Sequence, residues 1–302
     1  MQMRQIAIYR NNSCFLGSVK SAKYFVRLTN FKEKCVNNKL KKLYKMKSIR
    51  VIINADDCGR SETVDAAIEE CIKANAITST TLMANGCDID GAKKLYNQYK
   101  EIISFGCHIT LDEGTPLVKS QILLDKGFLE EKDGVVCFTK KLWQKNLILG
   151  ETKQAFIKEA SAQIECLLDN RFEVSHFDSH HHVHTAKSLI WLMPTLCNKF
   201  GINKYRRIRN CMPKNLDFYV RQAWHISQRI LLKRGKTTEY FGSYSDILKQ
   251  KNLSFIENGA TLEIMCHPGH EGANYQNEVN KLKGTPEKIP GFHVDLINYY
   301  QL

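Results

Sequence analysis

Five of the ten histidines in this chain fall within nine residues, in the run His176-Phe177-Asp178-Ser179-His180-His181-His182-Val183-His184. Imidazoles at that density hold metal ions or move protons, because neutral imidazole is a good nitrogen ligand and titrates near neutral pH. Three further groups offer related chemistry: the adjacent Asp56 and Asp57, His108 and His267, each at the end of an apolar run. One carboxylate and two imidazoles on a divalent ion leave positions open for water and a substrate oxygen. A second carboxylate beside them can take a proton from that water.

Each group has a plainer explanation when taken alone. Aspartates ahead of a helix can cap it. A histidine after an apolar strand is often satisfied by a carbonyl, and His267 before Pro268 can simply close a turn. Strand-like alternation puts His180, His182 and His184 on one side and His181 on the other. His182 and His184 then become groove residues in contact with substrate rather than further ligands, while His181 packs or is exposed and Asp178 orients an imidazole. Alternation also keeps Asp56 and Asp57 from pointing the same way, so that one can bind metal while the other faces water. Of Trp143, Trp191 and Trp224, two sit in helical patterns and fit the core better than an exposed stacking surface.

The elements that position these groups alternate between strand and helix. Val51 to Ala55 is a continuous apolar run suited to a strand buried on both faces. Ser61 caps a helix whose stripe is Val64, Ile68, Cys71 and Ile72. Strands follow at Thr78 to Met83, Ile102 to Cys107, Val174 to Asp178, Tyr205 to Ile208, Tyr240 to Tyr244 and, last, Ala260 to Cys266. Helices lie between them near Gly91 to Tyr99, Glu151 to Asn170, Leu189 to Phe200 with Gly201 as its stop, Asp217 to Leu232 and Ser245 to Gln250. The stretch 112–150 is irregular, with turn signals at Asp112-Glu113-Gly114 and Lys132-Asp133-Gly134, and suits a lid or groove wall. The pattern predicts a parallel α/β architecture. In a parallel barrel all strand C-termini open on one face, so Asp56, Asp57, His108, His180 and His267 can meet there.

Charge narrows the function. The net charge is +13, but residues 1–50 carry thirteen Lys or Arg against the single acid Glu33, which leaves the rest of the chain close to neutral. A nucleic-acid partner is therefore not expected. Residues 1–46 form a basic extension with three readings: a disordered arm, a weak contact for anionic surfaces, or translated sequence upstream of a start at Met46. Residues 47–302 form the single folded domain. Eleven cysteines without paired metal spacing suit a reducing, cytoplasmic setting. No apolar run reaches the length of a membrane span.

Four ordered motifs together resemble the YdjC-like carbohydrate deacetylases, a family that includes chitooligosaccharide deacetylases. They are Asn54-Ala55-Asp56-Asp57-Cys58-Gly59, Gly106-Cys107-His108-Ile109-Thr110-Leu111 with Glu113-Gly114, the run from His176 to His184, and Cys266-His267-Pro268-Gly269. The resemblance runs from about Met46 to Tyr300. It implies a deformed, TIM-barrel-like (β/α) barrel and metal-dependent removal of acetyl groups from N-acetylated sugars. It also implies Asp57, His108 and His180 as ligands of one divalent ion, zinc or magnesium, with Asp56 as general base and His267 as general acid. Arg207 resembles the family's substrate-contacting arginine. Cys58 stands where the family usually has Phe, and the segment 278–290 departs from the pattern. Barrels of this kind often pair, which makes a homodimer the expectation. Two other functions fit the residues: a metal-dependent hydrolase of another amide or a phosphoester, and a non-catalytic carbohydrate-binding protein.

Overall fold

The computed structural model describes residues 46–302 apart from 145–146, 213, 233–234, 250–252 and 271–274. The basic extension, but for its last residue, lies outside the described residues.

Strand β1 (Lys47–Cys58) is the spine of the sheet, and from Val51 onward every residue in it is buried. Its β-branched run suits a strand covered on both faces. It pairs in parallel with β2 (Ser79–Leu82), β8 (Thr261–Cys266) and β9 (Phe292–Leu296). Outward from these lie β3 (Ser104–Ile109), β6 (Phe177–Ser179) and β7 (Tyr240–Ser243), in the order β6-β3-β2-β1-β8-β7. The expected strand over Val174 to Asp178 is shorter and later than the sequence suggests, and Tyr205 to Ile208 contributes only a bridge to Phe177. A strand after Cys266, β9, was not anticipated; its residues alternate only weakly.

No strand pairing joins β6 to β7 among the described residues. The segment 204–211 lies between them instead: the Phe177 amide of β6 donates to the Lys204 carbonyl, the Arg206 amide donates back to the Phe177 carbonyl, and the Asn210 and Cys211 amides donate to the Phe241 carbonyl. The sheet thus curls into a barrel deformed at this seam.

Helices α1 (Glu62–Lys73), α2 (Ile89–Tyr99), α4 (Gly150–Asp169), α5 (Leu192–Phe200) and α6 (Leu216–Leu231) follow the expected order. Ser61 accepts from the Val64 amide at the start of α1. In α4 the stripe Phe156, Ala160, Ile164 and Leu167 is fully buried, each large member contributing about 1.5–3 kcal/mol. Leu168, expected on that stripe, is 40% exposed. The stretch 112–150 is more ordered than its composition suggests. It holds the short helix α3 (Gln121–Asp125) and a hairpin of β4 (Leu129–Lys132) and β5 (Val135–Phe138). Asp133 and Gly134 turn that hairpin with positive φ at both residues. Shorter helices α7 (Tyr244–Lys249), α8 (Tyr275–Leu282) and α9 (Thr285–Lys288) complete the described elements. No helix is long and apolar enough to cross a membrane, among the described residues.

Candidate active site

Asp56 and Asp57 lie at the C-terminal end of β1, where the register with β2 shifts between Ala55 and Cys58 and Asp57 takes a left-handed φ of 71°. This irregularity overrides simple alternation, and both carboxylates line the same cleft. The cleft, of about 760 Å³, is also lined by His180, His181, His182 and His267. His108 lies just beneath, 1% exposed, near the end of β3.

Asp57 is the hub. Its Oδ1 lies 3.0 Å from His108 Nε2 and 2.9 Å from His180 Nδ1, and its Oδ2 lies 2.8 Å from His270 Nε2. Burial would raise its pKa, but those three imidazoles outweigh it and hold the carboxyl well below the usual range. Asp178 Oδ1 sits 2.7 Å from His108 Nδ1, which turns Nε2 toward Asp57. Glu113 Oε2 lies 3.3 Å from His180 Nε2 in the same way, with Arg60 2.7 Å from the other Glu113 oxygen. Two imidazoles, each with its far nitrogen against a carboxylate, match the usual support of metal-binding histidines.

The donor set fits a divalent ion. One atom each from Asp57, His108 and His180 lie within 4.8 Å of one another, all three residues buried. Burial alone would lower the His108 pKa, yet Asp178 and Asp57 raise it to about 10. The cluster therefore calls for positive charge between Asp57 and His108. Replacing Asp178 with Asn should weaken metal affinity by about 10- to 100-fold, by analogy with other orienting partners, as read by calorimetric titration.

Below the hub is a fully buried ionic network that motif reading did not reveal. Arg206 donates through both terminal nitrogens to Asp56 at 2.7 Å, lies 2.8 Å from Asp178 Oδ2, and donates through Nε to Glu263 at 2.7 Å. Tyr299 donates to the other Glu263 oxygen at 2.7 Å. Burial would raise the Asp56 pKa, but Arg206 outweighs it and holds the group well below the usual carboxylate range. The His176 ring stacks on Tyr299 with centroids 3.4 Å apart. Gly106 makes room for that ring, since a Cβ there would meet it at 2.4 Å.

The expected residues divide as follows. Asp56, Asp57, His108 and His180 are brought together, and His267 Nε2 lies 3.7 Å from Asp56 Oδ2 at the cleft. His182 lines the cleft. His184 does not: it is fully buried, 2.5 Å from Ser179 Oγ. The chain leaves extended geometry after Ser179, with His181 and His182 at φ of 47° and 56°, so the alternation that grouped His180, His182 and His184 fails. Arg207 is also misplaced by the motif. Its guanidinium turns away from the cleft to the Ile208 and Glu239 carbonyls and Gln222, while its neighbour Arg206 reaches Asp56. His270 and Glu113 were not singled out for roles, although His270 follows the His-Pro-Gly motif and Glu113 was within one.

The model of the YdjC-like protein family matches residues 50–289, most of the described chain. The chain belongs to the YdjC-like family. A chitooligosaccharide deacetylase of Citrobacter koseri is 28% identical over 227 residues, covering 72% of this chain and 81% of that protein. A carbohydrate deacetylase of Geobacillus stearothermophilus is 27% identical over 225 residues, covering 72% and 79%. Among solved structures, a candidate cellobiose-phosphate cleavage protein from Enterococcus faecalis V583 shares the fold, with a TM-score of 0.63 at 20% identity over 84% of this chain and 98% of that one. Within the YdjC-like fold, the deformed barrel places the Asp57 hub at the strand C-termini.

Proposed function

We propose that this protein is a metal-dependent deacetylase of N-acetylated sugars or oligosaccharides. The observation that carries the reading is the convergence of Asp57, His108 and His180 beside Asp56, in a chain whose curated relatives are carbohydrate deacetylases.

In this reading Asp57, His108 and His180 hold one divalent ion, with two imidazoles favouring zinc over magnesium. The ion supplies a Lewis acid and a water of lowered pKa. Asp56 is the base: Arg206 keeps it ionised at neutral pH, so it is always in the form that accepts a proton. The low basicity that this pairing imposes is the cost of a permanently charged acceptor. His267 stands beside Asp56 at the cleft. Burial lowers its pKa despite the nearby aspartates, so it rests neutral at pH 7 and would act as acid after taking over the proton that Asp56 removes from water, which it then passes to the departing amine. His182 borders the space left for the sugar. The described cysteines form no disulfide, which supports a reducing, cytoplasmic setting. A homodimer is part of the same reading, checked by solution mass.

Acetate release from a panel of N-acetylated mono- and oligosaccharides, with and without chelator, tests the function. Release that depends on metal supports it; no release with metal shown to be bound would shift the reading to another bond or to sugar binding alone. Asp56→Asn should keep metal affinity and lose roughly 10²- to 10⁴-fold in turnover. Turnover equal to wild type would remove Asp56 from the role of base.

A further inference from the structure

A second cleft, of about 530 Å³, lies at the opposite end of the barrel from the paired aspartates, among the N-terminal parts of β1, β7 and β8. Arg207 is there, 9% exposed, its guanidinium held by backbone carbonyls and Gln222. Arg50, Arg229 and Lys236 line the same cleft. None of these three charged groups has a hydrogen-bond or ion-pair partner among the described residues. Two carboxylates also border it, Glu257 and Glu239, the latter accepting from the amide and hydroxyl of Thr261, and the C-terminal residue Leu302 lies on the same wall. Thr238, 1% exposed, also lines the cleft, and its buried hydroxyl has no partner of its own. Burial lowers the Arg207 pKa to about 10, and Arg229 beside it adds to the shift. Burial and the same two arginines push buried His225 down to about 3. Positive charge is crowded here rather than paired.

We propose that this cleft binds a small phosphoryl anion, at a site separate from the deacetylase cleft. Four cations stand against the carboxylates of Glu239 and Glu257 and the chain terminus at Leu302, so the cleft keeps an excess of positive charge that suits an anion. Guanidinium forks match the spacing of phosphoryl oxygens. The inference does not depend on the deacetylase reading.

Inorganic pyrophosphate titrated calorimetrically into the full-length, chelator-treated protein tests it. Wild type should bind, and the double variant R229Q/K236Q should bind at least 10-fold more weakly. Both substituted side chains are exposed, so the fold should persist, as circular dichroism would check. Should the double variant not fold, Lys236→Gln alone should still weaken binding. Arg209→Gln, beside His181 and His182 at the catalytic end, should leave the affinity unchanged. No binding by wild type, equal binding by the folded R229Q/K236Q protein, or loss of binding in Arg209→Gln would overturn the proposal. Citrate binding as tightly as pyrophosphate would overturn the phosphoryl assignment.

Discussion

Replacing Arg206 with Met should destabilise the folded chain by about 3–5 kcal/mol, the usual cost of removing one partner from a buried ion pair. The figure belongs at the upper end, because this guanidinium compensates three buried carboxylates at once: Asp56, Asp178 and Glu263. Domains commonly have only about 5–15 kcal/mol of stability, so the variant should sit near its unfolding threshold. Its pH dependence should also reverse. In the wild type the Asp56 pKa is held below its unfolded value, so that group's stabilising contribution is present above the ordinary carboxylate range and lost only as pH falls through the folded pKa. Without Arg206, burial dominates and raises the carboxyl pKa above its unfolded value. Stability is then present at low pH and lost as pH rises. Urea unfolding at pH 5 and pH 8 separates the cases: Arg206→Met should be more stable at pH 5, while Asp56 gives the wild type little change over that interval. A loss below about 1 kcal/mol, the scale of an exposed pair, would mean that the carboxylates are neutralised by other means.

Arg206 also marks the limit of what the sequence makes legible. The fold class could be read because β1 is a continuous apolar run and α4 carries a clean stripe, signals that depend only on neighbouring residues. That Asp56, Asp57, His108, His180 and His267 can meet could be read because each stands at the end of a strand, and parallel strands deliver their C-termini to one face; the choice of Asp57, His108 and His180 as ligands came from the resemblance to the YdjC-like family. The rest depends on local backbone departures that no period describes. The register shift at the end of β1 turns both aspartates into one cleft, and left-handed backbone at His181 and His182 sends His184 into the interior. Arg206 and Arg207 are adjacent in a segment too irregular to assign faces, so only the structure tells which one meets Asp56. His270 and Glu113 were visible beside motifs, but contact with Asp57 and His180 follows from loop paths.

Asp57→Asn should abolish metal binding more completely than any change to an orienting partner, exceeding the roughly 10- to 100-fold loss expected for Asp178→Asn. Asn is nearly isosteric and is one of the few residues that tolerates left-handed backbone, so the turn at φ 71° should survive where Ala would be strained. What is lost is the one carboxylate that His108, His180 and His270 share. Calorimetry in buffers of different ionisation enthalpy gives a readout apart from turnover. In the metal-free wild type, His108 is held protonated up to about pH 10, whereas a metal ligand must be neutral, so metal uptake at pH 8 should release a proton. The Asn variant should show neither the affinity nor the proton release. Asp56→Asn should retain both while losing acetate release, because both Asp56 oxygens are bound by Arg206 and His267 lies beside it, although one oxygen also comes within 4.8 Å of a His108 nitrogen. That contrast assigns the adjacent aspartates separate work: if both Asn variants lost metal alike, Asp56 would belong to the ligand set and the base would have to be sought among the remaining cleft residues.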